Sequence, residues 1–211
     1  MGYTHYWRRE KEIEQSKFND ILIDFKKVLP EIEKAGVQLA DGRGEETPIF
    51  NSEEIIFNGK AKCGHKVDER IIIPWPTKNA GGVANNWKED AKKGNWFAGA
   101  EIEKRVCNGD CSYETFSFPR VFKPESWSRP EEGLYFEFCK TAFRPYDFAV
   151  IAFLIIAKHH LQEKIKVSSD GEDQHWFDGK MLCQMILGYG FEYRIDKDGE
   201  LILIKEATCK K

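Results

Sequence analysis

The amino-acid sequence predicts an α+β fold, a mainly antiparallel sheet with about three helices and long loops, from three observations. An apolar stripe at helical spacing lies near the start. The middle alternates short β-like runs with turns rich in Gly, Asn and Pro. The last third holds an almost wholly apolar stretch, Phe148–Ala157 (FAVIAFLIIA).

Each element follows from its residues. Phe18, Ile21, Leu22, Phe25, Val28, Leu29 and Ile32 recur at three- and four-residue steps, predicting a helix from about Ser16, its expected N-cap. Pro30 is expected to break or kink that helix, and Gly36 to stop it. Before it, Tyr3–Trp7 alternates aromatic and polar side chains like a strand. β-like runs follow at Glu54–Phe57, Arg70–Ile73, Glu101–Val106, Tyr113–Phe118 and Leu134–Cys139. Trp75, Trp87, Trp96 and Trp127 fall in or beside the loops, where covering core edges outweighs a ligand-stacking reading. Pro145 suits the first turn of a helix to about Leu161, apolar nearly all round and therefore central. Ile165–Val167 reads as a strand, and a third helix follows with Trp176, Phe177, Met181, Leu182, Met185 and Ile186 inward, ending near Gly188–Gly190. Asp196–Gly199 (DKDG) between Phe191–Ile195 and Leu201–Lys205 is a hairpin signal. No repeat, low-complexity segment or linker interrupts residues 1–211, so one domain is expected.

Composition limits the function classes. The 32 Lys+Arg against 35 Asp+Glu give a net charge of −3, which argues against broad nucleic-acid or anionic-membrane binding but leaves room for a local basic patch. Phe148–Ala157 is far shorter than the roughly 18 apolar residues of a membrane span. MGYTHYWRRE lacks the apolar run of a secretory leader, and Tyr6 stands where a myristoylation motif wants Ser or Thr. A cytoplasmic chain is expected, its six cysteines thiols or metal ligands.

The strongest chemical signal is Cys63-Gly64-His65 with Cys107-Asn-Gly109-Asp-Cys111. Zinc favours four sulfur or nitrogen ligands in a tetrahedron, delivered as two short-spaced pairs from tight turns. Three thiolates and one imidazole fit that count, and Gly64 and Gly109 allow the turns to close. The bland alternatives are four unrelated residues or a Cys107–Cys111 disulfide. Four protein ligands leave no open position, so a zinc here is expected to be structural; a deaminase signature fails because Lys66 and Val67 follow His65. Cys139, Cys183 and Cys209 stand apart.

A second feature is the strand-to-helix turn around Lys140, Thr141, Arg144 and Tyr146. A helix N-terminus offers free N–H groups and partial positive charge, so these residues are the candidate site for a carboxylate or phosphate. The competing reading pairs Arg144 with a carboxylate and leaves Asp147 to cap the dipole. No glycine-rich phosphate loop is present, against ATP or NAD. Ser168–Gly171 reads as a capping loop, His159 and His160 as dipole partners, and His175 and Asp173 as surface or capping residues.

The segments Gly2–Trp7 (GYTHYW), Cys111–Phe116 (CSYETF) and Thr141–Asp147 (TAFRPYD) together resemble a family of uncharacterised phage and bacterial proteins. That resemblance implies a cytoplasmic, phage-encoded accessory protein and transfers no catalytic residue. With no nucleophile in a recognisable setting, the expectation is a non-enzymatic binding module for a small anionic ligand, a nucleotide or a host protein. The alternative is a metal-dependent hydrolase built on an open ligand position, or on His5, His159 or His160 with carboxylates.

Overall fold

The computed structural model describes residues 3–65, 67–71, 96–97, 100–101, 105–126 and 128–204. Among them, three α-helices pack with several antiparallel sheets, the mixed class expected. Helix α1 (Gln15–Lys34) buries Phe18, Ile21, Leu22, Phe25, Val28 and Ile32, the stripe its spacing predicts. It continues through Pro30, where a break or a kink was expected, and ends at Ala35 before left-handed Gly36. Its N-cap is Glu14, two residues before Ser16, and the Ser16 hydroxyl donates to the Glu14 carboxylate.

Helix α2 (Asp147–Leu161) is apolar on every side and enclosed, with Phe148–Ala157 all buried. Helix α3 (Phe177–Leu187) presents a different face from the one expected. Asp178, Gly179, Leu182 and Cys183 are buried, whereas Ile186 is exposed and Met181 and Met185 are half-buried. The cause is Gly179, which sets α3 close on α2: a Cβ there would lie 2.3 Å from Ile151 Cγ2. α3 then stops at Gly188, whose φ of 85° ends the helix in the left-handed conformation.

The strands, in chain order, are β1 (Thr4–Arg9), β2 (Leu39–Ala40), β3 (Ile49–Phe50), β4 (Glu54–Gly59), β5 (Val67–Ile71), β6 (Trp96–Phe97), β7 (Ala100–Glu101), β8 (Arg105–Asn108), β9 (Phe116–Pro119), β10 (Tyr135–Lys140), β11 (Ile165–Ser169), β12 (Tyr193–Ile195) and β13 (Leu201–Leu203). They form a three-stranded sheet β10–β1–β11, a second sheet in which β4 pairs with β2, β3 and β9, and the pairs β5–β8, β6–β7 and β12–β13. All pairings are antiparallel.

Register in the first sheet sets His5 opposite Cys139 and Ser169, and Trp7 opposite Glu137 and Val167. Odd residues of β1 therefore face the core and even ones face outward. Phe153 of α2 joins the layers, its ring 5.1 Å from Phe25 of α1 and 5.0 and 4.9 Å from Phe116 and Phe118 of β9. A fully buried phenylalanine contributes about 1.5–3 kcal/mol by its removal from water, so this aromatic knot carries much of the cohesion between helices and sheets. Among the described residues no helix is long and apolar enough to cross a membrane. Trp75, Trp87, Trp127 and Cys209 lie outside the described residues, as does the side chain of Trp96.

Candidate metal centre and the buried charge network

Cys63 lies in the turn after β4, Cys107 in β8, and Cys111 in the loop leading to β9. Gly64 (φ 79°) and Gly109 (φ 81°) occupy the left-handed region that tight turning requires, so each pair of ligands converges from one short segment. The end of β4 and the Cys111 backbone touch: the Cys111 amide donates to the Lys60 carbonyl at 3.2 Å, and a Cβ on Gly59 would lie 1.9 Å from the Cys111 oxygen. Glycine at 59 is therefore a condition of the approach.

The result is a compact donor set. Cys63 Sγ is 3.3 Å from Cys107 Sγ, His65 Nδ1 is 3.3 Å from Cys111 Sγ, and all four donor atoms lie within 4.8 Å of one another. Zinc–sulfur bonds of about 2.3 Å place tetrahedral ligands about 3.8 Å apart, inside that spread. The three sulfurs are buried and His65 is half-buried. These four residues could hold a metal ion. Burial pushes the Cys107 and Cys111 thiols up. It also acts against ionisation of Cys63, but the His65 backbone and the neighbouring thiols outweigh it and draw Cys63 down. Without a cation the set thus accommodates thiolate at one sulfur far better than at three; a dication would favour all three. The alternative reading of a Cys107–Cys111 disulfide does not hold: both are free thiols, as are Cys139 and Cys183 in the core.

Two residues before Cys107, on the same side of β8, Arg105 enters a buried charge network. Its Nε and Nη2 donate to Asp147 Oδ2 at 3.2 and 2.9 Å, Nη2 also reaches Asp178 Oδ1 at 3.3 Å, and Nη1 donates to Asp178 Oδ2. Asp147 Oδ1 further accepts from Thr141 Oγ1 at 2.5 Å and pairs with His5 Nε2 at 2.7 Å. Burial pushes the Asp147 carboxyl up, but Arg105, His5 and Thr141 overcome it and hold Asp147 below the usual carboxylate range. Asp178 ends above it, because burial and the nearby Asp147 outweigh its bond to Arg105. Sequence spacing gave no hint of this network. Its members come from β1, β8, the turn before α2, and the starts of α2 and α3. A charged residue inside a β-like run reads as solvent-facing until its partners are known.

The candidate anion residues divide. Tyr146 is fully buried and its hydroxyl donates to the Glu114 carbonyl at 2.7 Å, while Thr141 is tied to Asp147. Lys140 and Arg144 form no ion pair among the described residues. Lys140 Nζ sits 5.6 Å from the centroid of the Tyr113 ring. Arg144 follows two non-glycine residues in the left-handed region, Ala142 (φ 50°) and Phe143 (φ 56°), and its Nη1 is buried with no hydrogen bond. Phe143 stacks on Tyr3 at 3.7 Å, and the amides of Thr141 and Ala142 both donate to the Tyr3 carbonyl. The competing pairing of Arg144 with a carboxylate is absent among the described residues, and Asp147 is a buried member of the charge network as well as the first residue of α2.

Of the remaining histidines, His159 departs from the expected dipole partner, because it stacks on Tyr189 at 3.6 Å and burial depresses its protonation. His175 closes a capping box with Glu172, and His160 pairs with Asp24 at 2.9 Å at the end of α2. His5–Asp147 and His160–Asp24 each bring together only two donors. The Cys63, His65, Cys107 and Cys111 set is the one metal-competent group among the described residues.

Fold and site together define an α+β protein carrying a buried Cys₃His cluster. No family model, curated protein or solved structure matches the chain, so its own chemistry has to carry the functional reading.

Proposed function

We propose that this protein is a non-enzymatic binding module: a structural zinc ion holds its β region, and its ligand is a small anion bearing a carboxylate or phosphate. The anion is met at the N-terminus of α2 by Arg144. The observation that carries the reading is the buried Arg144 Nη1 with no acceptor. A guanidinium N–H removed from water without a partner is costly, and a bound oxyanion supplies the missing acceptor. The helix dipole at the start of α2 favours negative charge at the same place.

The zinc assignment rests on ligand chemistry. Three thiolates and an imidazole are a common structural zinc set, and four protein ligands leave no position for a reactive water. That closure favours a binding protein over a metal-dependent hydrolase. Cys107 and Arg105 share one face of β8, so a metal that fixes this strand also fixes the guanidinium against Asp147 at the base of α2.

The test is thermal unfolding with inorganic phosphate and, separately, citrate. A ligand that binds only the folded state, at free concentration L, stabilises it by RT ln(1 + L/Kd), so Tm climbs with the logarithm of ligand concentration above Kd. A rise that grows with the logarithm of anion concentration and disappears in Arg144→Met is expected. No rise with either anion, or a rise unchanged in Arg144→Met, refutes the anion site.

A further inference from the structure

The sheet β10–β1–β11 turns its odd side to the core and leaves its even side to solvent. That outward side is unusual in its residues. β10 contributes Phe136 and Phe138, 44% and 53% exposed, and then Lys140; β1 contributes Tyr6 and Arg8; β11 contributes Lys166. Register brings them together, with Tyr6 opposite Phe138 and Ser168, and Arg8 opposite Phe136 and Lys166. The rings form a continuous row: Phe136 and Phe138 are 5.9 Å apart, Tyr6 and Phe136 6.1 Å apart, each pair within 30° of parallel. Arg8 lies over Phe136 at 5.0 Å, and Lys140 over the exposed ring of Tyr113 at 5.6 Å.

Large exposed phenylalanines side by side on a sheet are a cost to a protein that leaves them in water. What distinguishes this patch from a plain apolar contact is its charge. Every ionisable group projecting from the strands on this face is a cation or the Tyr6 phenol. The acidic groups near it enter from the rims: Glu131 pairs with Arg8 at 3.1 Å, Glu132 with Lys166 at 2.5 Å, Asp170 accepts from Tyr6 Oη at 3.0 Å, Glu114 accepts from the Lys140 amide at 2.7 Å, and Glu200, bridged to Ser168, acts on Lys166. Glu131 and Glu132 are themselves 72% exposed. Such surface pairs hold little energy, typically about 0–1 kcal/mol, so a phosphate can replace the carboxylate on either cation. Base-sized π faces flanked by exchangeable cations are the chemistry that holds an unpaired nucleic-acid strand: bases stack on the rings, and the backbone runs past the charges.

We infer that the outward face of the β10–β1–β11 sheet binds single-stranded nucleic acid, stacking bases on Phe136, Phe138 and Tyr6 and contacting phosphates with Arg8, Lys140 and Lys166. The net charge of −3 is compatible, because the patch is local and small. Only three cations line it, so the salt dependence is shallow, a slope of about −2 in log K against log salt for a single strand. This inference is independent of the anion site at Arg144.

The experiment is fluorescence anisotropy of the full chain with a labelled single strand of about 12 nucleotides, as DNA and as RNA, and with the duplex of the same sequence. Binding of either single strand over the duplex is expected, with the shallow slope above. The exposed rings leave the fold intact when removed, so Phe136→Ala/Phe138→Ala should keep its Tm and lose at least about tenfold in affinity. Arg8→Ala should lower the slope by about 0.7. Absence of strand binding overturns the inference, as does binding that the double variant leaves unchanged. Sedimentation velocity distinguishes another occupant: self-association abolished by Phe136→Ala/Phe138→Ala, without strand binding, assigns the face to a second copy and overturns it equally.

Discussion

Replacing Arg105 by Met should remove about 3–5 kcal/mol of stability at neutral pH, the range found when one partner of a buried ion pair is deleted. The structure supports the upper part of that range. The guanidinium is fully buried and bonded to two carboxylates, Asp147 with no exposed surface and Asp178 with almost none. Methionine fills a similar volume, so the loss comes from charge more than from a cavity. The sign of the pH dependence follows from linkage. In the native protein Asp147 is held below the ordinary carboxylate range. Its contribution is present above the unfolded value of about 3.9 and is lost as pH falls through the folded value. Without Arg105, burial and mutual repulsion raise both carboxyls, and the folded state binds more protons than the unfolded one. The variant therefore gains stability as pH falls from neutral towards the unfolded carboxylate value, and its deficit against the native protein shrinks. Urea unfolding of both proteins at neutral pH and at about pH 5 reads this directly. A deficit below about 1 kcal/mol at neutral pH, or one that does not narrow in acid, would refute the reasoning.

Two further outcomes are expected. Gly179→Ala should lower Tm, because overpacking against Ile151, with a Cβ at 2.3 Å from Cγ2, costs about 1–3 kcal/mol and exceeds the roughly 1 kcal/mol gained in helix propensity; calorimetry showing a higher Tm would contradict the packing account. His159 is stacked flat on Tyr189 at 3.6 Å, and burial, with His160 adding, depresses its protonation. The folded state then binds fewer protons than the unfolded, so stability should decline as pH falls through the ordinary histidine range near about 6.5. In His159→Phe, which keeps the stack, unfolding curves should show a flatter decline.

Local signals were legible where one periodicity or one residue type decides the outcome. The α1 stripe, the all-apolar α2, the Gly188 stop and the hairpin at Asp196–Gly199 were all readable, since each depends on its own neighbours. The Cys63, His65, Cys107 and Cys111 set was legible from ligand type and paired spacing, although the strands that close it are far apart in sequence. What escaped depends on contacts across the chain. Pro30 does not end α1, because the residues on both sides of it, Val28 and Ile32, are buried in the core and hold the helix on course. The inward face of α3 is chosen by Gly179 against Ile151, a fit that hydrophobicity does not encode. The network of His5, Arg105, Asp147 and Asp178 was illegible because four charged or polar residues from distant segments become compatible with burial only together.

The central claim is that Cys63, His65, Cys107 and Cys111 bind a structural zinc ion. Elemental analysis of the natively purified protein, beside a Cys107→Ser variant, tests it most directly. The account predicts one zinc per chain, lost in the variant together with a clear fall in Tm. A metal-free protein that unfolds at the same temperature with and without added zinc would contradict it.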